Sequence, residues 1–235
     1  MQLDEVMAQL ESMGTEQNRK IYPRHGATFP MFGVSFANLG KLQKTIKRDH
    51  PLAVELWATG NHDARMLACR IADPEAITVS AANEMAKACD NYVVAESFAG
   101  MLADSPIAAG RAALWRDRKD EWIASAGWAI TASLALKGRI DDELGHALLD
   151  QIEAEIDDRP NRVRHEMNQV VIALGIDERF HDHALRVAAA ISPVDVDHGE
   201  TSCTTPDATD YIARTLAHRA KQAAKRAAKN AKKAS

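Results

Sequence analysis

Apolar residues recur at helical spacing along most of this chain, and glycine, proline or a capping residue interrupts them at regular intervals. Ala64, Leu67, Ala68 and Ile71 stand at i, i+3, i+4 and i+7, one buried face of a helix. Residues 51–59 form a short helix closed by Gly60, and Asp73-Pro74 ends the element after it. Residues 80–88 form the next helix, and Val94, Phe98, Met101 and Leu102 stripe another. A helix over 107–115 precedes a long one marked by Ile123, Ala126, Ile130 and Leu134 that ends near Gly138. Leu144, Leu148, Ile152 and Ile156 define a further helix, and Pro160 opens the one striped by Val163, Met167, Val170, Val171 and Leu174. Composition removes the alternative of strands. The chain has 42 Ala, only 5% aromatics and 46% hydrophobic residues, and alanine loses no side-chain entropy in a helix. The fold class is all-α.

The helices come in pairs repeating every ~30–40 residues, the range of HEAT, armadillo and tetratricopeptide arrays. Stacked pairs give a superhelical α-solenoid with an extended concave face; a compact bundle is the other arrangement the rhythm allows. Residues 192–206 break the pattern as a loop. Thr205 is expected to cap a last helix with Pro206 at its first position. Residues 1–216 read as one domain and 217–235 as a basic Ala/Lys-rich tail, frayed because beyond Leu216 it has only alanine to bury. No window of eighteen apolar residues suggests a membrane span, and Asp4, Glu5 and Glu11 are out of place in a secretory leader. Three scattered cysteines, Cys69, Cys89 and Cys203, read as reduced thiols of a cytoplasmic protein.

A formal net charge of −4 hides a segregation. Residues 17–48 carry seven bases and no acid, and residues 214–235 carry eight and no acid. The rest sets 14 bases against 33 acids, a net −19. Segregated basic charge suits a polyanion, whereas an acidic body favours a protein partner.

Asp90 lies between two helices, where it can cap the second or face a ligand. Asn161, Arg162, Arg164, His165, Asn168 and Gln169 decorate a helix opposite its apolar stripe, either as a solvated face or as a phosphate-binding one. Asp195, Asp197, His198, Glu200 and Cys203 hold metal-capable groups in the loop but match no ligand spacing, so no metal is expected. His181 and His183 point different ways on a helix, and the four Trp residues are expected to anchor helix packing.

Residues 25–34 (HGATFPMFGV), Lys47-Arg48-Asp49-His50, Glu55-Leu56-Trp57, Asn61-His62-Asp63-Ala64-Arg65, Ile71-Ala72-Asp73-Pro74 and Asp90-Asn91-Tyr92 resemble the bacterial DNA alkylation repair family of the AlkD type. Pro160-Asn161-Arg162-Val163-Arg164 and Asp197-His198-Gly199-Glu200-Thr201 resemble a divergent branch of it. The resemblance covers roughly residues 20–215. It implies a superhelix of HEAT-like antiparallel helix pairs and no cofactor. It also implies duplex DNA as partner, and possible removal of N3- and N7-alkylated purines by a monofunctional glycosylase with Asp90 as catalytic carboxylate. The DNA-contacting residues it implies are Lys41, Lys44, Lys47, Arg48, Arg162, Arg164, His165 and Gln169. Characteristic glycosylase members flank the lesion with two Trp, and this chain has Ala86 and Gln169 there; Ser125 stands where they hold an Arg. A non-catalytic module for DNA structures or a protein partner is therefore the alternative. A monomer is expected, nucleoid-associated if it binds DNA.

Overall fold

The structure is a computed structural model that describes residues 1–234, with side chains described as far as Ala227. Among the described residues there are thirteen α-helices and no strand, only an isolated bridge between Gly14 and Val34. An N-terminal segment carries α1 (Leu3–Met13), α2 (Glu16–Ile21), a 3-10 turn at Tyr22–His25 and α3 (Phe36–Ile46). Helix pairs follow: α4 (His50–Ala58) with α5 (His62–Ile71), α6 (Val79–Lys87) with α7 (Tyr92–Leu102), and α8 (Ala108–Trp115) with α9 (Glu121–Leu136). Then come α10 (Asp142–Glu155), α11 (Asn161–Gly175), α12 (His181–Ile191) and α13 (Ala208–Ala234).

Short polar side chains set the boundaries. Asp49, Asn61, Thr78, Asn91, Asp120 and Asp141 each accept a backbone N–H of the helix that follows, satisfying donors a helix start leaves unpaired. Asp207, not Thr205, caps α13 by accepting from Asp210 N at 2.9 Å. Thr205 is engaged elsewhere, 3.0 Å from His198 Nε2.

Second helices of the pairs stack into an inner layer, α5 on α7, α7 on α9, α9 on α11 and α11 on α13. α9 is buried almost all round, with Trp128 and Ile130 fully covered. Small residues let the layers close in. A Cβ on Gly127 would lie 2.7 Å from Arg116 N, so α8 and α9 meet backbone to backbone. α10 and α12 pack together outside the inner layer, and residues 141–158 there carry eight acids and no base. Eight of the 33 acids thus lie outside the inner layer. Among the described residues no helix is long and apolar enough to cross a membrane.

Two connections tie the ends of the array. Buried Asp63 accepts the backbone N–H groups of Phe32, Gly33 and Val34 at 2.6–2.9 Å, pinning the acid-free N-terminal segment onto α5. The 192–207 loop folds back over α11. Asn161 makes two bonds to the Asp197 backbone at 2.7 and 2.8 Å, and Asn168 Nδ2 donates to Pro206 O at 2.9 Å. The loop then reaches the Tyr22–His25 turn: a Cβ on Gly199, whose φ is +63°, would stand 3.3 Å from the Arg24 carbonyl oxygen.

Tail side chains from Ala217 to Ala227 are all exposed on α13. The basic residues beyond them lie outside the residues whose side chains are described.

Candidate nucleic-acid interface

Asp90 does not cap α7. Asn91 does, its Oδ1 accepting Val94 N at 3.1 Å, and this leaves the Asp90 carboxylate for other contacts. Its Oδ2 accepts the Thr28 hydroxyl at 2.7 Å and its Oδ1 accepts Asn91 Nδ2 at 2.7 Å. Arg65 Nη1 stands 3.7 Å away, held by a bond to Ala88 O at 3.0 Å and by stacking on Trp57. The Asp90 side chain remains 45% exposed. It is a fixed, half-open carboxylate. Neighbouring Cys89 is buried, which pushes its thiol up to about 12, so no thiolate competes at this point.

Two hollows open on the inner face and meet at Glu96 on α7. One, of about 340 Å³, lies between the Tyr22–His25 turn, the start of α3 and the N-terminal ends of α5 and α7. The other, of about 520 Å³, runs over α9, α11 and α13, with Gln169, Tyr211 and Arg219 on its walls. Together they form a groove along the inner layer.

At the junction the polar face expected on α11 proves largely buried. Arg162 is 5% exposed, donates to Glu96 Oε1 at 2.7 Å and stacks on the Tyr92 ring at 3.9 Å. It is an internal ion-pair partner, not an open phosphate contact. Burial pushes the Glu96 carboxyl up. Burial and the proximity of Glu96 push the Glu166 carboxyl well above its ordinary value, which favours its protonated form. Burial, with Arg162 and His198 nearby, lowers His165 to about 4. His165 therefore offers a neutral ring rather than a charge for phosphate. Donor atoms of Glu96, His165 and Glu166 lie within 4.8 Å of one another, the spacing of a cation's ligands. Arg162, bonded to Glu96, already brings a positive charge to this cluster.

In the metal-capable loop Asp195, Asp197, Glu200 and Cys203 are exposed and His198 is half-buried. Asp197 Oδ1 accepts Gly199 N at 2.8 Å and His198 bonds Thr205. Lys41, Lys44, Lys47 and Arg48 are exposed on α3 and the turn after it, outside both hollows, with Arg48 paired to Asp73 at 3.3 Å. Arg164 is half-buried on α11. Of the residues singled out in the sequence, His165 and Gln169 line the groove, where Glu96 and Glu166 join them. Asp90 stands outside both linings with Thr28 and Arg65 around it, contacts without any short-range signal because they link positions tens of residues apart.

An all-α array of paired helices with such a groove on its inner layer is a HEAT-like helical-repeat protein. The chain belongs to the DNA alkylation repair enzyme family, whose model matches residues 6–212. A solved structure with TM-score 0.85 and 30% identity covers 93% of this chain and 95% of its own. It is described as a new family of proteins related to the HEAT-like repeat DNA glycosylases with affinity for branched DNA structures. The uncharacterised protein Lin0241 of Listeria innocua is 26% identical over 216 residues, covering 89% of this chain and 95% of the relative. Lmo0209 of Listeria monocytogenes, also uncharacterised, is 25% identical over the same length.

Proposed function

We propose that this protein binds DNA along its inner groove and prefers branched structures to uniform duplex. The main support is the near full-length similarity to a structure from a family with affinity for branched DNA. Local chemistry agrees. Exposed Lys41, Lys44 and Lys47, on α3 and the turn after it, would contact phosphates outside the hollows, and Arg219 supplies a base from α13 to the groove wall. Phe29, next to Thr28, is 64% exposed, an apolar wedge of the kind that enters between base steps. At a branch those steps are already opened, so insertion costs less.

Fluorescence anisotropy with a labelled three-way junction and a linear duplex of the same sequence tests this. The junction is expected to bind about tenfold more tightly, with log affinity falling by about 0.9 per phosphate contact for each unit of log salt, and Phe29→Ala to reduce the preference. Equal affinity for both DNAs at one salt concentration rejects it.

A second reading, base excision, is favoured by Asp90. A fixed carboxylate beside a groove suits an oxocarbenium-like sugar as a cationic alkylated purine leaves. No pair of Trp residues assists it: Trp57, Trp115 and Trp128 are buried in the core, Trp122 packs against it, and Ala86 is buried. Each missing ring forgoes about 0.5–2 kcal/mol of cation–π attraction. Release of 7-methylguanine or 3-methyladenine from alkylated DNA that Asp90→Asn abolishes would establish excision; no release by the wild type dismisses it.

A further inference from the structure

We propose that the hollow beside Asp90 is a pocket for one unpaired DNA base, an inference that rests on the DNA reading above and extends it. Its ~340 Å³ lies within the range of small-ligand sites. Tyr22 forms tilted pairs with two other wall rings, Phe36 at 6.5 Å and 35° and His62 at 6.3 Å and 57° between centroids, which gives the hollow a fixed aromatic wall. Tyr22 is held in place by its hydroxyl, which donates to Val34 O at 3.0 Å. Phe36 at the rim is 52% exposed, so it has a free surface for a planar ligand.

The pocket also lacks a polar partner. His62 is 4% exposed, yet its Nδ1 has no hydrogen-bond partner in the protein. Buried polar atoms are seldom left so. Burial lowers the basicity of this ring, so it is neutral at physiological pH, with one nitrogen to donate and one to accept. The edge of a nucleobase meets that need, and its faces suit Phe36 and Tyr22. The wall itself carries one acid, Glu96, and no Lys or Arg; the basic side chain at the rim is Arg70, whose guanidinium carbon lies 5.6 Å from the Phe36 centroid, placed to meet a nucleotide's phosphate. Asp90 is not part of the wall; it precedes Asn91 and the wall residue Tyr92 at the start of α7. A branch point supplies such a base without the cost of extruding it from a duplex.

The probes are a three-way junction with a single unpaired 2-aminopurine at the branch and the same junction with an abasic residue there. Wild type is expected to bind the first about tenfold more tightly, the contribution of one base stacked on one ring, with a change in 2-aminopurine emission. Phe36→Ala, at an exposed position that leaves the core intact, should bind both with the affinity wild type shows for the abasic junction and give no emission change. Equal wild-type affinity for the two junctions overturns the pocket while leaving DNA binding intact. So does a Phe36→Ala loss that is the same on both. Failure to bind either junction or duplex overturns the DNA reading itself.

Discussion

Asp90→Asn separates a functional carboxylate from a structural one. Two short hydrogen bonds and a distant Arg65 hold Asp90, whose side chain is nearly half exposed. Asparagine keeps an acceptor for Thr28, and exposed charge-assisted contacts are screened. The change should cost at most about 1 kcal/mol, or about 2–4 °C in Tm for a domain of this size. A carboxylate about 6 Å from a DNA phosphate is repelled by about 0.7 kcal/mol in water. Removing that charge should therefore tighten DNA binding about threefold at low salt, a gain that fades as the Debye length falls to about 8 Å. Any excision activity should vanish in the same variant. Differential scanning fluorimetry and a salt series of anisotropy titrations measure both effects. A Tm loss above about 8 °C would mean that Asp90 holds the fold together. Tenfold weaker binding would mean that it contacts DNA directly as an acceptor, and either result refutes the reasoning.

Asn91 has two duties, so Asn91→Ala should cost about 2 kcal/mol by losing both the α7 cap and the bond to Asp90, whereas Asn91→Ser keeps the cap and should cost about half; equal losses in urea melts would contradict this. Glu166 keeps a proton in the fold that the unfolded chain releases above about pH 4.5, so its contribution falls as pH rises through its elevated folded value. Glu166→Gln mimics the protonated acid and should match the wild-type Tm near pH 4 while exceeding it at pH 8; a constant difference across pH would refute the assignment. Deleting residues 221–235 removes six bases while retaining Arg219, and should lower DNA affinity and flatten its salt dependence with Tm changed by less than about 2 °C. A large Tm loss would show that the segment docks.

Much of the fold was legible because local rules set it. Apolar spacing located α4 to α11, and Gly60, Asp73-Pro74 and Gly138 marked breaks that the structure keeps. Those rules rank neighbouring caps poorly: Asp90 and Asn91, or Thr205 and Asp207, are equally good on paper, and only the geometry chooses. Arg162 misled for a deeper reason. A charged residue beside an apolar stripe reads as solvent-facing, but Glu96 and Tyr92, on another helix, create an internal place for it. The same long-range pairing hid Thr28 and Arg65 around Asp90. Family resemblance pointed to Asp90 as a candidate carboxylate, whereas the contacts around it needed the fold.

An array whose units touch only their neighbours can unravel from either end, one pair at a time. Here the loop before α13 lies against Arg24 near the start of the chain and is fastened to α11 through Asn161. The loop and the Tyr22–His25 turn therefore cannot open independently of one another. Hydrogen exchange should show that loop and that turn opening together, as the two leaves of a latched book do, rather than as independent pages.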